Sequence, residues 1–183
     1  MKSQTSSRIL LIAGLVLGAA LLRLVPHPPN FTPIGAIALF AGAHLGRRWL
    51  SLAIPLAAML VSDALLEVTT GWGFHEGMPV IYGAIALIVA LGLGLARIGI
   101  RPLTVVAGAI GSATLFFLVT NFFVWLSSGM YPPSLAGLVS CYVAAIPFYG
   151  NTLGGDLLFA SLLFGAFSLA ERKLPVFAPA VGG

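Results

Sequence analysis

Few side chains in this chain could do chemistry. Its 183 residues hold five carboxylates, three histidines and a single cysteine. Two of the carboxylates, Asp63 and Asp156, fall inside or at the mouth of long apolar runs, as does the amide Asn121. An ionisable group inside an apolar helix is expensive, and it faces the interior of a bundle with a partner of its own. Arg23 is the obvious cation for Asp63 or Asp156. Around them stand amides and aromatics that suit a polar ligand: His27, Asn30, Trp72, Trp125, Tyr142 and Asn151. Carboxylates and amides would hold such a ligand while the rings stack on it.

Other chemistries find less support. His27, His75, Glu67 and Glu76 are types that bind zinc- or iron-like ions, but no helical His-x-x-x-His spacing joins them, so no metal and no cofactor is expected. Cys141 has no helix-borne histidine beside it and reads as a small buried hydrophobe. The only lysines are Lys2 and Lys173, which excludes a phosphate-binding P-loop and any ATP-driven step within this chain. No nucleophile–base pair is visible, so an enzyme is not expected.

The elements that position these residues must be membrane helices. Hydrophobic residues make up 59%, charged residues 8%, and mean hydropathy is +1.06. An average soluble domain carries about 25% charged residues, so this surface suits lipid rather than water. The apolar runs are continuous rather than alternating, which argues against a β-barrel. The sequence predicts an all-α, single-domain membrane protein with spans at about 9–25, 32–46, 50–67, 79–97, 103–126 and 152–170. Residues 135–148 are apolar but short, and fit a re-entrant or interfacial helix better than a seventh crossing. NTLGGD, which follows, reads as the mouth of the last span. Gly14 and Gly18 put two small residues on one face of the first helix, a spacing suited to helix contact.

Six crossings with a cytoplasmic N-terminus put Lys2, Arg8, Arg47, Arg48, Arg97, Arg101, Arg172 and Lys173 inside and leave Arg23 alone outside. That satisfies the positive-inside rule with both termini cytoplasmic. The net charge of +4 therefore reads as topology rather than as affinity for nucleic acid. The same topology sends Glu67, His75, Glu76, Tyr131 and Tyr149 outward, beside the candidate ligand-binding residues. Between the first two spans, Pro26, Pro28 and Pro29 stiffen a polar loop, and Thr32-Pro33 reads as a cap and first residue of the next helix.

Three long segments carry a resemblance: RLVPHPPNFTPIGAIALFAGA, LVSDALL, and TNFFVW with MYPPSLAGLVSCYVAAIPFYGNTLGGDLLF. They resemble an uncharacterised bacterial membrane-protein family, which implies a multi-pass protein of the cytoplasmic (inner) membrane. The architecture is also distantly similar to the substrate-binding S components of energy-coupling factor (ECF) transporters. That similarity implies six helices, an outward pocket, and a first helix docking on a membrane partner, a part open to Gly14 and Gly18. The expected function is a small-molecule-binding transporter subunit that depends on partner ATPases. The alternative is a non-catalytic structural or assembly subunit of a larger membrane complex, with the proline loop as its docking surface.

Overall fold

The computed structural model describes residues 2–46 and 48–174. Among them the chain is entirely helical: α1 Lys2–Leu21, α2 Ile34–Leu45, α3 Arg48–Thr70, α4 Met78–Ile98, α5 Pro102–Ser127 and α6 Leu135–Lys173. A 3₁₀ turn, Leu22–Leu24, closes α1. Five of the six helices are long and apolar enough to cross a membrane, so the membrane class read from composition holds. Arg47, one of the basic residues used to orient the chain, lies outside the described residues.

The exception is α2. At 12 residues it is about 18 Å long, too short to span the apolar layer by itself. It serves instead as the core. Every α2 residue except His44 is buried, and the helix packs against α1, α3, α4, α5 and α6. Its sequence, IGAIALFAGAHL, is apolar all round, as a helix enclosed on every side must be. Gly46, at φ 60°, ends it in the left-handed conformation that glycine adopts without strain. The tightest crossing is with α4. A methyl group on Gly42 would lie 2.3 Å from the Val89 carbonyl oxygen, and one on Gly92 would lie 2.3 Å from that of Leu39. Only glycine at both positions lets the two backbones meet.

The second departure from expectation is α6. Residues 135–148 are no separate re-entrant element. They continue through Pro147 and NTLGGD into the last span as one helix of 39 residues, about 58 Å long. The glycine pair that reads as a break is instead a contact surface. A methyl on Gly155 would stand 3.0 Å from the Thr32 carbonyl oxygen, and one on Gly154 would stand 3.5 Å from the Phe31 ring. The glycines thus let the strap between α1 and α2 lie directly on α6, while the helical hydrogen bonds of α6 run on beneath it.

That strap is held at several points. Phe31 N–H donates to the Pro28 carbonyl (3.0 Å), making a turn whose Asn30 sits at φ 64°, a conformation asparagine tolerates. Asn151 Nδ2 donates to the Pro29 carbonyl (2.9 Å) and ties the turn to α6. The helix it leads into starts at Ile34, with Pro33 as N-cap and no cap from its own side chain. Thr32 is therefore not the cap. That role is taken by a residue of α6, described next.

Candidate functional site

The polar residues singled out in the sequence do not form one cluster. They separate into three groups, each built by different helices.

The first is an ion pair. Arg23 Nη1 reaches Asp63 Oδ1 at 2.6 Å and also donates to the Ser62 hydroxyl. The Tyr82 hydroxyl donates to Asp63 Oδ2 at 2.7 Å. Both charged side chains are largely buried, 14% and 6% exposed. The 3₁₀ turn after α1 delivers Arg23, the C-terminal half of α3 delivers Ser62 and Asp63, and the second turn of α4 delivers Tyr82. With both carboxylate oxygens occupied, the group works as a clamp across three elements. Nearby, Glu67 Oε2 accepts the N–H groups of Gly73 (2.9 Å) and Phe74 (3.0 Å), folding the α3–α4 loop back onto α3.

The second is Asp156, 1% exposed in the middle of α6. Its Oδ1 accepts the Ala36 N–H at 3.0 Å, so it caps α2 from 120 residues away. A carboxylate at a helix N-terminus is favoured by the exposed N–H groups and the helix dipole. Ser112 of α5 and Asp156 both crowd Gly35, where a methyl would fall within 2.3 Å of each side chain. The Ser112 hydroxyl and Asp156 Oδ2 lie buried there without a hydrogen bond of good geometry.

The third is a cavity of about 570 Å³ bounded by α4, α5, α6 and the two loops above them. Its apolar wall comes from Val80 and Ile81 of α4, Phe116 and Phe117 of α5, and Phe148 of α6. Polar groups face it from Thr120 and Asn121 of α5, Tyr149 and Thr152 of α6, and Asn30, His75 and Glu76 of the loops. Phe117 packs against Tyr149 (ring centroids 4.9 Å apart) and Tyr142 (5.4 Å), so the α5–α6 side is rigid. Thr152 and Phe116 lie one helical turn from Asp156 and Ser112, which puts the capped end of α2 immediately below the cavity floor.

Of the ten residues expected to hold a ligand, only Asn30 and Asn121 line this cavity. Arg23 and Asp63 belong to the clamp, Asp156 to the α2 cap, and Asn151 to the strap. His27 is exposed, with Nδ1 3.0 Å from the Pro28 carbonyl oxygen. Trp72 is 83% exposed. Trp125 Nε1 donates to the Pro132 carbonyl (3.1 Å), and the Tyr142 hydroxyl to that of Leu118 (2.7 Å), so both close the α5–α6 turn and hairpin. The cavity residues that the selection omitted carried one visible signal. His75, Glu76 and Tyr149 already fell among the outward polar residues. Thr120 and Thr152 are ordinary threonines in apolar helices, and only the helix packing brings them together.

At the opposite end of the bundle Arg8 pairs with Glu171 and stands 5.7 Å from the Phe167 ring centroid. His44 lies among the rings of Phe40, Phe164 and Phe167. This pair ties the start of α1 to the end of α6. Gly14 and Gly18, expected to make a helix contact, face away from the bundle with nothing within 4 Å of an added methyl.

No curated protein and no solved structure matches the chain. A family model matches residues 3–177, nearly the whole length that carries these helices, strap and cavity, and the chain accordingly belongs to the family of unknown function DUF6580.

Proposed function

We propose that the protein is a small-molecule-binding membrane subunit of a transporter, with the α4–α5–α6 cavity as its ligand site. One observation carries the reading: a 570 Å³ cavity that combines phenylalanine faces with a few converging polar groups. Ligand sites in proteins span about 300–1,000 Å³ and have this mixture of apolar wall and sparse hydrogen-bonding groups. The chain would bind and release its ligand without bond-making chemistry. Partner subunits would supply the energy, since no phosphate-binding motif is available here. In this reading the protein sits in the bacterial cytoplasmic membrane, with the cavity end outward and both termini inside.

The experiment is a thermal-unfolding screen of the purified protein in lipid nanodiscs against pooled metabolites. A hit is expected to raise the midpoint of the wild type and to lose that effect in Val80→Trp, which fills the cavity. Hits that protect both proteins equally would sink the cavity as the site.

A second reading, a structural or assembly subunit, is favoured by the bare Gly14/Gly18 face of α1. Native mass measurement after gentle extraction separates the two. Stoichiometric partners that include ATPases support the transporter subunit; stable partners without ATPases support the assembly role.

A further inference from the structure

The hydroxyl groups around the cavity have little left to donate. Thr120 Oγ1 gives its hydrogen to the Phe116 carbonyl (2.8 Å), Thr152 to Phe148 (3.0 Å) and Ser127 to Phe123 (2.8 Å). Each hydroxyl has one hydrogen, so each presents only lone pairs to the cavity. Thr114 donates to the Ile110 carbonyl (2.8 Å), which obliges the Tyr149 hydroxyl, 2.9 Å away, to donate to Thr114 and leaves the Tyr149 oxygen as an acceptor. Asn121 Nδ2 donates to the Phe117 carbonyl (2.8 Å), which fixes the amide orientation and leaves Oδ1 as its acceptor.

Formal charge points the same way. Glu76 at the mouth is the only lining residue with a fixed charge, and no lysine or arginine lines the cavity among the described residues. The nearest outer cation, Arg23, is already engaged by Asp63. His75 Nδ1 accepts the Gly77 N–H (3.2 Å), which leaves Nε2–H as the donor the ring presents. Donors are thus confined to His75 and Ser128 at the rim and the remaining amide hydrogens, against a wall of acceptors. Aromatic faces add a further preference for positive charge.

Taking the cavity as a ligand site, we infer that its ligand is an organic cation: a protonated amine or amidine-like nitrogen attached to a compact apolar or aromatic body. The N–H groups would meet Thr120, Thr152, Tyr149 and Asn121, and the body would lie on Phe116, Phe117 and Phe148. Carboxylates and phosphates are disfavoured, because they would bring acceptors to acceptors and a negative charge to Glu76.

Three matched probes test this at neutral pH in nanodiscs by isothermal titration: phenethylamine, 2-phenylethanol and 3-phenylpropionate. The amine is expected to bind best and the carboxylate not at all. Glu76→Gln and Thr152→Val should each weaken the amine by about fivefold, a typical loss for one exposed charge or one hydrogen-bond acceptor. Both variants should keep the ligand-free unfolding midpoint. If the alcohol or the carboxylate binds as well as the amine, and Val80→Trp abolishes it, the charge assignment fails while the cavity stands as a site. If none of the three binds at millimolar concentration, or if amine uptake is unchanged in Val80→Trp and reflects partition into lipid, both this inference and the site fail.

Discussion

Asp63 illustrates how far residue chemistry could be read in advance. A carboxylate in an apolar run demands a cation, and Arg23 meets it at 2.6 Å. Arg23 was legible as the cation because there was almost no other outward one to choose, but its choice of Asp63 over Asp156 was not. What was not legible is that Tyr82 takes the second oxygen, which closes the pair to ligands. Removing one partner strands a buried charge, so Asp63→Ala is expected to lower stability by about 3–5 kcal/mol. A double replacement, Arg23→Leu with Asp63→Leu, should recover most of the loss, as read by equilibrium unfolding in mixed micelles. Asp156 was read as a ligand group because its true partner is a backbone N–H in another helix, which no side-chain pattern announces. Asp156→Ala should cost about 1–2 kcal/mol by uncapping α2. Asp156→Asn, which keeps an acceptor, should cost less.

Helix identity was legible in the apolar runs, and helix boundaries at proline and glycine were not. Glycine marks a turn in water-soluble chains, but in lipid it also marks the place where backbones touch, and NTLGGD belongs to the second kind. The same ambiguity hid the main crossing. Gly14 and Gly18 have the conventional spacing yet touch nothing, whereas Gly42 and Gly92 stand on different helices and make the closest contact. Leucine at Gly42 or Gly92 should therefore prevent accumulation of folded protein, because the clash is with backbone carbonyls that cannot yield. Leucine at Gly14 or Gly18 should leave the monomer's unfolding midpoint unchanged. Gel filtration and thermal unfolding of the four variants in detergent check this contrast.

For the molecule as a whole, composition and the continuous apolar runs were enough to assign a helical membrane protein. The cavity was out of reach because it depends on how three successive helices pack beneath two loops, one of them from far earlier in the chain, and on hydroxyl groups that look unremarkable in each helix. Orientation is a matter for labelling. With Cys141 replaced by alanine, an impermeant thiol reagent on intact cells is expected to modify Trp72→Cys and to spare Ile98→Cys, at exposed positions near opposite ends of the bundle. The reverse pattern would turn the cavity to the cytoplasm.

The unbroken course of α6 has a mechanical consequence. Pro147 lies before Tyr149 in the chain, so the helix from Tyr149 to Glu171 contains no proline and runs on unbroken. At 1.5 Å per residue, its two ends stand about 33 Å apart, so a tilt of about 5° at the cavity wall displaces Glu171 by about 3 Å. Glu171 is latched to Arg8 near the start of α1, the helix whose glycine face is bare. A strut that touches the cavity at one end and the latch at the other ties the cavity wall to the opposite end of the bundle.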